Sequence, residues 1–234
     1  MRALVLGATG VVGDAIVRAA LIDERISSIL AVTRRPLAHA DDRLQTVLHQ
    51  DFTDFQPLTQ LLGDVDVVLC ALGVSWSQAA GEAAYRQITH DYVMACARTV
   101  SVANAAVRFC FVSAHGASST SSQAWARIKA DTERDLEGTF GSRLNVFRPG
   151  YVRPVHGRGT SYWGDTIMRP FVPFRSFLTR YMTDSAEVAR AVLYAATGGS
   201  VTSPADNREI IAAATAYGGL SARAASRTSV RTSR

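Results

Sequence analysis

The sequence predicts an α/β fold, a doubly wound parallel sheet in a single domain, and three observations carry the prediction. Short β-branched apolar runs alternate with longer stretches of helical period, which is the sequence form of βαβ units. A glycine-rich turn joins the first apolar run directly to the first helical stretch. The 234 residues, 47% hydrophobic and 19% charged, are enough to bury one sizeable core without obliging the chain to divide.

In chain order, strands are expected near 2–6, 29–33, 45–49, 66–71, 108–113 and 144–148. Helices are expected near 11–21, 55–62, 83–105 and 123–137, the third long and alanine-rich with Tyr85, Ile88, Tyr92, Cys96 and Val100 on one stripe. After Arg148-Pro149-Gly150 the pattern breaks into a segment, about 151–182, rich in Gly, Pro, Arg and aromatics. That segment is expected beyond the carboxyl ends of the strands, the ligand side of open α/β sheets. Its Trp163, Ile167, Met168, Phe171, Phe174 and Phe177 suggest a hydrophobic or aromatic substrate, or the core of a small cap or subunit interface. Thr183-Asp184-Ser185 then opens a capped helix, with Thr183 or Asp184 supplying the cap oxygen. The domain is taken as 1–220, followed by a basic tail over 221–234 that lacks an apolar period and is expected to be disordered.

Composition narrows the function classes. The formal charge of +5 comes from scattered residues, four of them (Arg223, Arg227, Arg231, Arg234) at the end of the chain, so nucleic-acid binding is not expected. Cys70, Cys96 and Cys110 are odd in number, lack metal-ligand spacing and sit in apolar runs, which reads as small core residues in a reducing, cytoplasmic setting with no metal site. No apolar run has signal-peptide placement or reaches about 18 residues, so neither secretion nor membrane spanning is expected.

The turn reads Gly7-Ala8-Thr9-Gly10-Val11-Val12-Gly13. Gly7 permits the tight turn, Gly10 lets the backbone approach a pyrophosphate, and Gly13 lets helix pack on strand; the phosphates would lie on the helix N-terminus. A Rossmann-type dinucleotide site follows. The second strand ends in Thr33-Arg34-Arg35-Pro36 with no acid to receive a ribose 2′-hydroxyl, while two guanidinium groups suit a 2′-phosphate. NADP(H) is therefore favoured over NAD(H). Asp51-Phe52 are candidates for adenine contact, with a loop acid capping the next helix as the alternative for Asp51. Ala71-Leu72-Gly73 forms a small-residue turn passing the cofactor, or simply a turn.

These landmarks, with Val74-Ser75, His90-Asp91-Tyr92-Val93, Phe111-Val112-Ser113, a lysine helix and Val146-Phe147-Arg148-Pro149-Gly150, resemble the atypical and extended short-chain dehydrogenase/reductases. The likeness is greatest to the small NAD(P)H-binding group that includes the Tat-interacting oxidoreductase, and it covers about residues 1–200. The resemblance implies a tyrosine and lysine four residues apart on one helix face, the lysine lowering the phenol's pKa and holding the nicotinamide ribose, with a serine orienting the substrate oxygen. Lys129 and Ser113 match, and Pro149 and Gly150 fall with the cofactor-binding positions, but Trp125 stands where the tyrosine belongs. Indole has no dissociable proton near neutral pH. His115 is a candidate replacement, or only a loop histidine. Trp125, Tyr151 and Tyr162 are candidate substrate contacts; Tyr85, Tyr92 and Asp165 are further ones, with core packing the first reading of Tyr85 and Tyr92. The functions left open are an NADP(H)-dependent oxidoreductase of a small hydrophobic or aromatic carbonyl or alcohol, a redox-neutral isomerase, dehydratase or cyclase, and a non-enzymatic NADP(H) sensor or interaction protein. The expected partner is a small-molecule substrate, and the resemblance implies a homodimer through the two long helices.

Overall fold

A computed structural model of the chain describes residues 1–155 and 182–231, with side chains as far as 219. Six strands, β1 Arg2–Leu6, β2 Ser28–Thr33, β3 Leu44–Leu48, β4 Val67–Cys70, β5 Arg108–Val112 and β6 Leu144–Phe147, pair in parallel in the order β3-β2-β1-β4-β5-β6. This is the predicted doubly wound sheet, each strand within two residues of its expected place. The order reverses between β1 and β4, which opens a crevice at their carboxyl ends.

Strand side chains alternate between two cores. Ala3, Val5, Ile29 and Ala31 meet α1 (Val11–Ile22), α6 (Ser185–Ala196) and α7 (Asn207–Arg231) on one face. Leu4, Leu6, Leu30 and Val32 meet α2 (Thr59–Leu62), α4 (Tyr92–Ala103) and α5 (Ala124–Phe140) on the other. Burial on both faces explains why β1, β2 and β4 read as unbroken apolar runs. Edge strand β3 is half-exposed and tolerates Gln45 and Thr46. Cys70, Cys96 and Cys110 are buried and free, within these cores.

Two elements depart from the periodic reading. The helix expected over 83–105 begins as α3 (Glu82–Arg86), passes through a π turn at Gln87–Asp91 and continues as α4. A π turn takes in one extra residue, so residues on the predicted stripe divide between two directions. Tyr85 packs edge-on against Trp76, with ring centroids 5.2 Å apart, whereas Tyr92 packs against Phe52 at 5.8 Å. Secondly, β7 (Tyr151–Arg153) pairs in parallel with β8 (Met182–Asp184), bracketing the segment rich in aromatics. Tyr162, Asp165 and the apolar residues from Trp163 to Phe177 lie outside the described residues.

Asp184 is the cap of α6: its carboxylate accepts the Glu187 N–H at 2.8 Å while Glu187 accepts the Asp184 N–H at 2.9 Å, a reciprocal box. Helix α7 follows, anchored where the Tyr217 hydroxyl donates to Asp23 at 2.6 Å. Its backbone stays helical through Arg231, into the stretch for which the sequence predicts disorder; alanine and arginine there are good helix formers. Among the described residues no helix is long and apolar enough to cross a membrane.

Candidate functional site

Strand β1 delivers Gly7 with φ +80°, a conformation that strongly favours glycine. A methyl group on Gly7 would meet the Ala71 carbonyl oxygen at 2.5 Å, and one on Gly13 would meet the Gly7 oxygen at 2.0 Å. The turn is thus pressed between the end of β4 and the start of α1. Gly10 donates to the Gly7 oxygen at 2.9 Å and caps α1 without a side-chain hydrogen bond, so the first helical N–H groups keep their capacity for an anion. A bare helix start behind a cradle that a Cβ would fill fits a dinucleotide's pyrophosphate.

Asp14, in the first turn of α1, is an acid that the sequence reading overlooked. Its charge would oppose an anion, but Arg18 donates to one oxygen at 2.8 Å and His39 lies 2.6 Å from the other. Burial pushes its carboxyl pKa up, and the hydrogen bonds and charges of Arg18 and His39 outweigh this and hold it below the usual value.

At the end of β2, Thr33 donates to the Arg35 carbonyl at 2.6 Å and Gln50 donates to that of Arg34 at 3.0 Å, which fixes the backbone. Both arginine side chains are exposed, and neither has an ion pair among the described residues. The Asp51-Phe52 expectation needs correction. Phe52 is a core residue, its ring 5.4 Å from Phe55, and offers no face to a base. Asp51 is exposed and accepts from the Thr53 backbone at 2.9 Å and hydroxyl at 2.5 Å, bonds that lower its pKa.

From the turn a cleft of about 710 Å³ runs across the carboxyl ends of the sheet. It brings together Gly10, Val11 and Val12 with Ala71, Leu72, Gly73, Ser113, Trp125, Lys129, Pro149, Gly150 and Tyr151. Trp76 and Tyr85 also border it. Gly7, Ala8, Thr9 and Gly13 form the turn behind it.

Lys129, on α5, is the chain's only lysine; the other 24 basic side chains of this kind are arginines. It is buried, with its amine 5.1 Å from the Phe111 ring centroid and a long 3.5 Å hydrogen bond to the Val112 carbonyl. Burial pushes the ammonium pKa down to about 8, against the opposing influence of Cys70 and Glu133. Ser113 follows β5 and donates its hydroxyl to Glu133 on α5. Glu133 also takes the Arg148 Nε, at 3.0 and 3.1 Å from its two oxygens, and pairs with the rest of that guanidinium. With its one proton committed to Glu133, Ser113 presents only acceptor lone pairs to the cleft. The sequence reading missed Glu133, although its place four residues after Lys129 puts both on one helix face.

Trp125 lies one turn before Lys129, lines the cleft half-buried and donates its indole N–H to Gln123. His115 is a second correction. Its side chain is exposed and outside the cleft lining, while its backbone N–H donates to the Pro149 carbonyl at 2.8 Å. His90 lies away from the cleft between Asp91 (2.7 Å) and Asp135 (2.9 Å). Among the described residues no group of three or more His, Cys, Asp or Glu is placed to hold a metal ion.

Residues 7–140 match a family model described as NAD(P)H-binding. The chain is similar to the mitochondrial protein FMP52 of Eremothecium gossypii, 32% identical over 68% of this chain and 71% of that one. It is also similar to the protein HTATIP2 of Rattus norvegicus, 28% identical over 81% of this chain and 78% of the relative. In fold it resembles an oxidoreductase of the short-chain dehydrogenase/reductase family from Burkholderia thailandensis, with a TM-score of 0.61 at 21% identity over 83% and 84% of the two chains.

Proposed function

Because the chain belongs to the NAD(P)H-binding family, we propose that it is an NADP(H)-dependent oxidoreductase acting on a small hydrophobic or aromatic carbonyl compound or the matching alcohol. One observation carries the reading: the glycine turn and the Lys129–Ser113 region open onto a single cleft whose lining includes Trp76, Trp125 and Tyr151. All three would meet a planar substrate, with Tyr85 buried behind Trp76. The bound nicotinamide supplies the hydride.

The chain's own residues do the rest. The turn and the start of α1 hold the pyrophosphate. Arg34 and Arg35, exposed at the end of β2 with no neighbouring acid in sequence, favour a 2′-phosphate over a 2′-hydroxyl. Glu133, held in turn by Arg148, fixes Ser113 where it lines the cleft before substrate enters. Three buried free thiols suit a reducing compartment such as the cytoplasm.

Titration with NADPH and with NADH, followed by nicotinamide fluorescence, tests the reading. NADPH is expected to bind more tightly, and Arg34→Ala to weaken it roughly 10- to 100-fold while sparing NADH, since a charge-assisted hydrogen bond contributes about 1.5–3 kcal/mol. Equal affinities unaffected by the substitution would refute the 2′-phosphate assignment. Failure to bind either nucleotide would refute the function.

A further inference from the structure

The reduction needs a proton, and the groups expected to give it are engaged elsewhere. Trp125 stands at the phenol position with an N–H bonded to Gln123. Ser113 donates its proton to Glu133, and His115 is exposed outside the cleft. Lys129 differs from every other cation in the chain. An arginine would supply positive charge, and the sequence uses arginine 24 times for that purpose. What a guanidinium cannot do is release a proton. The single amine occurs where it is buried, lines the cleft and lies beside the turn that borders the glycine cradle: a methyl on Gly73 would sit 3.7 Å from its nitrogen.

We propose that Lys129 is itself the proton donor of the reduction, giving its proton directly to the substrate oxygen. The assignment rests on the reductase reading above. Hydride from the reduced nicotinamide forms the new C–H bond, the carbonyl π pair moves to oxygen, and that oxygen takes a proton from the Lys129 ammonium. The products are an alcohol, the oxidised nicotinamide and a neutral amine, which regains its proton from solvent.

The groups around Lys129 agree with this role. Cys70, at the end of β4, is held neutral by burial, which pushes its thiol up to about 12. Glu133 lies one turn along α5 and favours the protonated amine, while Arg148 offsets that carboxylate. Tyr85 and Tyr151 face the same cleft from α3 and β7. Burial leaves the ammonium near pH 8, where a general acid is both charged and willing to donate.

A single lysine makes the test direct. Trace acetylation with acetic anhydride over a pH series, read by peptide mass spectrometry, reports the neutral fraction of Lys129 without turnover. A midpoint near 8 is expected, with protection by NADPH. With NADPH and a panel of aromatic aldehydes, the rate of reduction is expected to fall roughly tenfold per pH unit above that midpoint. Lys129→Arg, which keeps the charge, should hold NADPH within several-fold yet lose on the order of 100-fold or more in kcat, and Trp125→Tyr added to it should recover part of the loss. A labelling midpoint near the ordinary 10.5 would overturn the proposal. So would a Lys129→Arg enzyme with normal kcat, or a loss of the alkaline limb in Tyr85→Phe or Tyr151→Phe alone. NADPH binding and a normal labelling curve without reduction of any aldehyde would overturn the reductase reading, and the donor assignment with it.

Discussion

Replacing Lys129 with methionine should stabilise the protein at neutral pH. Burial, the largest influence, takes the ammonium from 10.5 to about 8. That difference of about 2.5 pH units corresponds to roughly 3 kcal/mol of penalty in the folded state at pH 7. Methionine fills similar space without charge, and the hydrogen bond it removes is long, at 3.5 Å. The sign follows from proton counting. Between pH 8 and 10.5 the unfolded chain holds a lysine proton that the folded chain has released, so stability of the unmodified protein rises with pH across this window. The advantage of the variant is therefore full below pH 8 and fades toward zero near 10.5. Urea unfolding of both proteins at half-unit steps from pH 7 to 10.5 measures it, and taking the difference cancels the titration of shared groups. A variant less stable at pH 7, or a gain independent of pH, would refute the claim that burial strains the ammonium.

Gly13→Ala places a methyl 2.0 Å from the Gly7 oxygen, so the turn must open; NADPH fluorescence should show binding lost while circular dichroism still shows a folded sheet. Glu133→Gln leaves Arg148 without its counter-charge and should cost about 2–4 kcal/mol in denaturant, and an unchanged midpoint would mean that the pair contributes nothing. Burial raises all three thiols, Cys70 and Cys110 to about 12, so the folded state keeps protons that the unfolded chain loses above pH 9. The thiols should accordingly lower stability as pH rises past 9, and a thiol reagent at pH 8 should find them unreactive until denaturant is added.

Much of the fold was legible because its signals are local. Unbroken apolar runs mark strands covered on both faces, and Gly7 and Gly13 are demanded by backbone contacts that admit no side chain. The NAD(P)H-binding family was legible for the same reason, through that glycine turn. Phe52 was misread because an aromatic near a strand end has the same sequence signature whether it meets a base or, as here, Phe55 and Tyr92. Glu133 was missed because its role depends on Ser113 and Arg148, which reach it from β5 and the end of β6. The division of Tyr85 from Tyr92 was hidden because the π turn changes the helical phase without a proline or glycine to mark it.

That π turn separates two jobs along one stretch of chain. Residues after it are phased by the sheet-side core, through Val93, Cys96 and Val100, whereas Tyr85 before it is buried against Trp76 at the border of the cleft. Removing one residue from Gln87–Asp91 would restore ordinary helix and rotate the preceding segment by roughly 100° against an unmoved core. A different side chain would then border the cleft. In this scaffold the shape of the cleft wall is open to change by chain length as well as by substitution. A deletion variant that stays folded and keeps NADPH affinity but exchanges one aldehyde preference for another would demonstrate it; unchanged preference would show that the cleft wall is set elsewhere.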